Sequence, residues 1–144
     1  MVLCALPLCL VLGGVADAGY WLIRRPPAAF AQEPSAPISP SEFDSLPAGD
    51  SSAGEQIFTT SGCSACHSLE SGVRIVGPSL SDISVHAATR KSDYSAEMYI
   101  YESIVSPNVY VVEGFQGGIM PQKFSEIFTQ QDLANLVAYL MTIR

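Results

Sequence analysis

The stretch "SGCSACHSLE", residues 61–70, contains the motif that decides the fold. Cys63 and Cys66 are three positions apart, and His67 follows the second cysteine directly. Three kinds of site use such a pair: a disulfide, half of a zinc site, and the attachment point of a covalently bound haem. Each of them makes a different demand on the rest of the chain, so the remaining sequence discriminates between them.

The rest of the sequence favours haem over zinc and over a disulfide. A structural zinc ion needs two further Cys or His ligands, and only His86 is left outside the apolar N-terminal stretch. A thioredoxin-like motif needs a βαβ context that this helical, loop-rich region does not provide, and a plain disulfide leaves His67 without a role. Two thiols one helical turn apart can form thioethers to the two vinyl groups of a haem, while the next imidazole binds the iron. We therefore predict one covalently bound haem c, attached to Cys63 and Cys66 and ligated by His67.

Four side chains are candidates for the second axial ligand of the iron: Met98, Met120, Met141 and His86. Met98 and Met141 fall in predicted helices, where a methionine most often fills a gap in the core. His86 is more often a solvated or locally bonded residue. Met120 lies in "GGIMPQKF", residues 117–124, where two glycines and Pro121 provide a fixed backbone that can approach a flat cofactor closely. We predict Met120 as the ligand opposite His67, with bis-histidine ligation through His86 as the alternative.

Two further side chains, Arg74 and Tyr110, are candidates for hydrogen bonds to the haem propionates. A guanidinium and a phenol can both donate to a carboxylate. Each is more commonly an ordinary residue of the surface or of a cavity rim, and that interpretation stays open for both.

Motifs along the chain occur in the order Gly54-x-x-x-Phe58, Cys63-x-x-Cys66-His67, Gly77-Pro78-x-Leu80, Met120-Pro121, and a C-terminal helix with Tyr139. In this order they resemble the class I c-type cytochrome domain across residues 54–144. The resemblance implies an all-α fold of three to four helices and long loops around one haem, and an electron carrier rather than an enzyme. It also implies that the carbonyl of Pro78 accepts a hydrogen bond from Nδ1 of His67, and that Gly54 and Phe58 cross the C-terminal helix near Tyr139.

A narrower resemblance concerns "YESIVSPNVYVVEGF", residues 101–115, followed by "GGIMPQKF". These stretches are similar to the region before the methionine ligand in the monohaem cytochrome c subunit of alternative complex III, a quinol:electron-acceptor oxidoreductase. Oxidase subunit II proteins with a cytochrome tail share the stretch but carry a copper-binding domain that this chain lacks. The resemblance implies multihaem or iron–sulfur subunits as electron donors and a soluble protein as acceptor. The alternatives are a tethered mobile shuttle and a haem sensor or enzyme with a labile sixth ligand.

The first 25 residues are predicted to form a transmembrane helix. Residues 1–23 contain one charged side chain, Asp17, and at about 1.5 Å per residue a helix of this length crosses a bilayer core of about 30 Å. Arg24 and Arg25 flank the run as interfacial cations. A cleaved signal peptide with an A-x-A site at residues 29–31 is the alternative, but no basic segment precedes the apolar run. We expect the chain in the bacterial cytoplasmic membrane, with the cytochrome domain on the periplasmic side.

Composition divides the remaining chain into a linker, residues 26–52, and a haem domain, residues 53–144. The linker carries six of the ten prolines and is predicted to be largely extended, with Phe43 and Leu46 suited to docking on a partner subunit. Residues 26–144 hold 13 acidic and five basic side chains, a net charge of −8. This balance argues against nucleic acid as a partner and suits a basic protein surface.

Three helices are predicted in the haem domain from apolar periodicity and capping residues. "SAGEQIFTTSGC" is expected to begin at Ser52 as N-cap, and "DYSAEMYIYESIVSP" at Asp93 or Ser95. "TQQDLANLVAYLMTIR" opens with Thr129 and Asp132 in a capping-box arrangement.

Overall fold

The structure, a computed structural model, describes residues 36–144. It contains, in chain order, α1 (Pro40–Asp44), α2 (Ser51–Thr60), α3 (Cys63–Cys66), α4 (Ile83–Ala87), α5 (Ala96–Val105), α6 (Phe124–Ile127) and α7 (Gln130–Leu140). No strand occurs in this range, so the predicted all-α class is confirmed for the part of the chain described. None of the helices in residues 36–144 is both long and apolar enough to span a bilayer. The predicted transmembrane segment, residues 1–25, lies outside the described residues.

Helices α2 and α7 cross in direct backbone contact at Gly54. A methyl group on Gly54 would lie 2.6 Å from the carbonyl carbon of Asn135 and 2.7 Å from Cβ of Tyr139. Only glycine permits so close an approach, because any Cβ would force the helices apart. Next to the crossing, the rings of Phe58 and Tyr139 pack with centroids 5.5 Å apart. The crossing expected from the resemblance is therefore present, and it joins the first long helix to the last.

The start of α2 is fixed by Asp50 rather than by Ser52, so the predicted N-cap was wrong. The Asp50 carboxylate accepts from the backbone N–H of Ser52 at 2.8 Å and of Ala53 at 3.1 Å. The Asp50 N–H in turn donates to Oδ1 of the buried Asn135 at 2.8 Å. Because Asp50 satisfies two helix donors and is itself tied to α7, the helix begins two residues earlier than the sequence indicated.

The caps predicted for the other two long helices are confirmed. Oγ of Ser95 accepts from the N–H of Met98 at 3.2 Å and begins α5, so Asp93 is not the cap. In α7, the N–H of Asp132 donates to Oγ1 of Thr129 at 3.1 Å, and the N–H of Thr129 donates to the Asp132 carboxylate at 3.0 Å. This reciprocal pair satisfies two helix-end donors at once.

The segment before α2 packs on the haem domain of its own chain. Ile38 is 7% exposed, and Phe43 packs against Tyr101 of α5 with ring centroids 5.9 Å apart. Ser39 caps the short helix α1, which the sequence analysis did not predict. The expectation of a largely extended stretch is wrong for Pro40–Asp44, which are helical, and Phe43 and Leu46 pack against the chain's own core. Docking of these two side chains on a partner subunit stays a prediction.

A buried carboxylate holds this segment in place. Glu102 of α5 is 1% exposed and accepts from Nζ of Lys91 at 2.6 Å and from the hydroxyl of Tyr94 at 2.7 Å. Its second oxygen also accepts from the backbone N–H of Ile38 at 3.3 Å. Three donors, one of them the cation of Lys91, stabilise the charge inside the core, where an unpaired carboxylate would be strongly unfavourable.

Candidate functional site

One apolar cavity gathers most of the residues singled out from the sequence. Its volume is about 250 Å³, and it lies between α3, α4, α5 and the loop that precedes α6. Six of the predicted site residues line it: Cys63, Cys66, His67, Pro78, Tyr110 and Met120. A cavity needs only about 10–15 Å³ to hold one water molecule, so this cavity suits a much larger group with an apolar body.

The two cysteines lie at the ends of α3, a single helical turn. The backbone N–H of His67 donates to the carbonyl of Cys63 at 2.9 Å and closes this turn. His67 itself has left the helix, with extended backbone angles (φ −117°, ψ 123°). Cys63 and Cys66 are not joined in a disulfide, and burial raises the pKa of the Cys63 thiol. Two thiols on one turn beside an imidazole are the donor set that covalent haem attachment requires.

The orientation of the His67 ring is fixed by the backbone of residues 77–78. Nδ1 of His67 lies 2.9 Å from the carbonyl oxygen of Pro78. Because a carbonyl oxygen can only accept, Nδ1 is the donor, and in the neutral imidazole this places the lone pair on Nε2. This is the tautomer that an iron-binding histidine needs, and the hydrogen bond also makes the ring a stronger donor.

Gly77 packs directly against the same ring. A Cβ at this position would lie 2.8 Å from Nδ1 and 2.9 Å from Nε2 of His67. The N–H of Gly77 also donates to the carbonyl of Cys66 at 2.8 Å, which ties this backbone to the end of α3. The imidazole is therefore confined between its own helical turn and the Gly77–Pro78 backbone.

The four candidates for the second ligand separate into two pairs. Met98 is buried in the core, and Met141 lines a groove beside α1, so neither side chain lines the cavity. Met120 and His86 both line it. Met120 is half-buried within the loop before α6, whereas His86 is exposed in the last turn of α4. Of the four candidates, only Met120 and His86 therefore line the cavity.

The two propionate candidates are placed differently. Tyr110 lines the cavity and packs edge-on against Tyr99, with ring centroids 5.5 Å apart and planes at 77°. Arg74 does not line it. Its Nη2 donates to the carbonyl of Gly114 at 2.9 Å, and its guanidinium lies 4.2 Å from the ring centroid of Phe115. Arg74 thus joins the loop after the cysteine motif to the loop that leads to Met120.

Sequence reasoning missed several polar side chains near the site, among them Tyr99, Asn108 and Gln122. Tyr99 and Asn108 line the cavity, and Gln122 donates to the carbonyl of Met120 at 2.6 Å. Tyr99 lies within a predicted helix that carries no motif, and burial raises the pKa of its phenol. Asn108 follows Pro107 at the end of a helix, a position that is typical of an ordinary turn. Its relation to Gln122 has no signal in the sequence because the two residues are joined only by the folded loop.

The family model described as Cytochrome c matches residues 51–144. The match begins at the first residue of α2, covers more than half of the chain, and includes every residue that lines the cavity.

Proposed function

The chain belongs to the cytochrome c family, and from this membership we propose that it carries single electrons through a haem c attached to Cys63 and Cys66, with His67 and Met120 as the axial ligands. One observation carries the proposal. The two thiols, the imidazole whose Nδ1 is bonded to Pro78 and the Met120 side chain all line the same apolar cavity. The cavity offers the covalent anchors and both ligand types that such a group needs, so the residues present fit haem c.

Bound haem supplies an iron that accepts and releases one electron. The chain's own residues would determine the position of the haem, the orientation of its histidine ligand and its reduction potential. Thioethers from α3 would fix the group in position, and the Pro78 carbonyl would keep the His67 ring in one orientation. A thioether ligand from Met120 would raise the reduction potential relative to a second histidine, and ligands on both faces would leave no position for a substrate. This arrangement favours a carrier over an enzyme or a gas sensor.

The ligand assignment is tested by comparing Met120→Ala with His86→Ala. We expect the thioether-to-iron absorption band of the oxidised protein to disappear in Met120→Ala and to persist in His86→Ala. If the band persists without Met120, that residue is not the ligand. If it is absent from the wild-type protein and His86→Ala alters the spectrum, the iron has two histidine ligands.

We also propose that the haem domain is anchored by residues 1–25 in the bacterial cytoplasmic membrane and faces the periplasm. In this proposal it is a subunit of alternative complex III that receives electrons from multihaem or iron–sulfur subunits and passes them to a soluble acceptor protein. The apolar run of residues 1–23 and the similarity of residues 101–124 to the monohaem subunit support it. The acidic composition suits a basic partner surface.

The packing of the segment before α2 favours a subunit over a long-range shuttle. A tether of residues 26–52 at about 3.1 Å per residue could reach on the order of 80 Å. Because Ile38 is buried in the haem domain, only residues 26–37 could act as a tether, and their reach is at most about 40 Å.

Extraction in a mild detergent separates the two roles. Co-migration of the chain with multihaem and quinol-oxidising subunits supports membership of a complex. A separate haem-containing species near 15.4 kDa, the mass of the chain alone, identifies a tethered shuttle. Recovery of the haem domain without residues 1–25 from the soluble fraction of native cells would contradict the anchor.

A further inference from the structure

Two side-chain amides, those of Asn108 and Gln122, hold the loop that carries Met120. The backbone N–H of Gly118 donates to Oδ1 of Asn108 at 2.7 Å. Nδ2 of Asn108 donates to Oε1 of Gln122 at 3.0 Å, and Nε2 of Gln122 donates to the carbonyl of Met120 at 2.6 Å. The three bonds form one chain from residue 118 through both amides to residue 120.

The donor and acceptor directions of these three hydrogen bonds are fixed by the backbone groups at both ends. A backbone N–H can only donate, so Asn108 must present its oxygen to Gly118 and its NH₂ group to Gln122. A carbonyl can only accept, so Gln122 must present its NH₂ group to Met120 and its oxygen to Asn108. Each amide therefore has one orientation that satisfies its neighbours, and the two orientations agree.

Asn108, at one end of this series of hydrogen bonds, lies next to the end of α5. Asn108 follows the buried Pro107, is three residues after the end of α5, and lines the cavity. The bonds reach the loop at Gly118, two residues before Met120, and at the Met120 carbonyl itself. The amides thus connect the methionine segment to the end of the central helix on the side of the cavity.

We propose that Asn108 and Gln122 are positioning residues that keep Met120 at the cavity and so keep the sixth position of the iron closed. The inference rests on the proposed role of Met120 as a ligand. When either amide is lost, the loop leaves the cavity more often, and an external ligand competes more successfully for the iron. The apparent affinity for such a ligand increases in proportion to the open fraction of the protein.

The test is an imidazole titration of the oxidised, haem-loaded full chain, followed by absorption. Asn108→Leu and Gln122→Met keep side-chain size but remove the amides. We expect each variant to bind imidazole roughly tenfold more tightly than the wild type, since each loses at least one loop hydrogen bond. Asn108→Asp keeps the acceptor for Gly118 and loses only the donor to Gln122. Its affinity for imidazole should therefore lie between those of the wild type and Asn108→Leu.

Amide hydrogen exchange provides a second readout that does not depend on the haem. The Gly118 N–H should exchange faster in Asn108→Leu and keep its protection in Asn108→Asp. Gln56→Ala, a change at an exposed glutamine of α2, is the matched control and should behave as the wild type in both measurements. Met120→Ala defines the affinity of a fully open site.

The outcomes distinguish the positioning role of Asn108 and Gln122 from the assignment of Met120 as a ligand. If Met120→Ala binds imidazole more tightly while Asn108→Leu and Gln122→Met match the wild type, the positioning role is wrong and the ligand assignment stands. If Met120→Ala itself matches the wild type, the ligand assignment fails and the positioning role fails with it. Tighter binding in all three variants, with Gln56→Ala unchanged, supports both.

Discussion

Replacing Gly77 with alanine probes the contact that orients the iron-binding histidine. The added Cβ would lie 2.8 Å from Nδ1 and 2.9 Å from Nε2 of His67, whereas ordinary contacts of this kind lie at about 3.5 Å or more. The ring or the Gly77 backbone must therefore move by roughly 0.6 Å or more. Such a shift would lengthen the 2.9 Å hydrogen bond to Pro78 to about 3.5 Å, beyond a useful bonding distance.

The lost hydrogen bond should raise the reduction potential. The bond to Pro78 makes His67 a stronger donor, and a stronger donor stabilises the oxidised iron more than the reduced iron. If the bond contributes about 1 kcal/mol to that difference, the potential rises on the order of 40 mV, since 1.4 kcal/mol corresponds to about 59 mV for one electron. Potentiometric titration of Gly77→Ala against the wild type measures the change.

Gly72→Ala provides a matched control in the same loop. Gly72 has φ +74° with no neighbouring atom within 4 Å of an added Cβ, so alanine there strains the backbone but does not touch His67. We expect Gly72→Ala to lower stability by about 1 kcal/mol and to keep the wild-type potential. An unchanged potential in Gly77→Ala, or an equal rise in both variants, would refute the reasoning.

Three further predictions concern the core, a helix end and the covalent anchors. Glu102→Gln removes the charge that accepts three donors in the core, and chemical denaturation should show a loss of about 2–3 kcal/mol. Hydrogen bonds from the hydroxyl and backbone N–H of Thr129 hold the pKa of Asp132 below its usual range, so its capping contribution is complete near neutral pH and is lost as pH falls through that lower value. Thermal melts of wild type and Asp132→Asn should therefore differ above about pH 4 and converge only as the pH falls through the lowered pKa of Asp132. Acidic acetone should extract haem from the double variant Cys63→Ser/Cys66→Ser but not from the wild-type chain.

The parts of the fold that followed from sequence are those specified by local chemistry. The pairing of Thr129 with Asp132 is a capping box readable from spacing alone, and it is present in the structure. Gly54 at the helix crossing came from the motif order of the family, because nothing in an isolated glycine indicates which backbone it will touch.

The short helices could not be predicted because four or five residues are too few to show a helical period. α1 is the clearest case. Its proline-rich surroundings are typical of a linker, and the buried Glu102 and the ring of Tyr101 help to hold this segment on the domain. Both residues come from α5, far along the chain, so local composition carried no information about the contact.

Within the site, the sequence identified residues whose chemistry is distinctive and missed those whose role depends on placement. Cys63, Cys66 and His67 were recognisable from one motif. Arg74 was a candidate for the haem propionates, with an ordinary surface role as the alternative, and in the structure it joins two loops through Gly114. A surface arginine has many partners within reach, and only the folded loops decide among them.

The most direct test of the account is the Nernst slope of the purified, full-length protein in a potentiometric titration followed at the haem absorption. A haem held by Cys63, Cys66, His67 and Met120 predicts a single wave of about 59 mV per decade, the slope for one electron. If the cysteines instead formed a redox disulfide, the protein would bind no haem and its thiol couple would titrate with about 30 mV per decade. That result would contradict the assignment of this chain as a one-electron carrier.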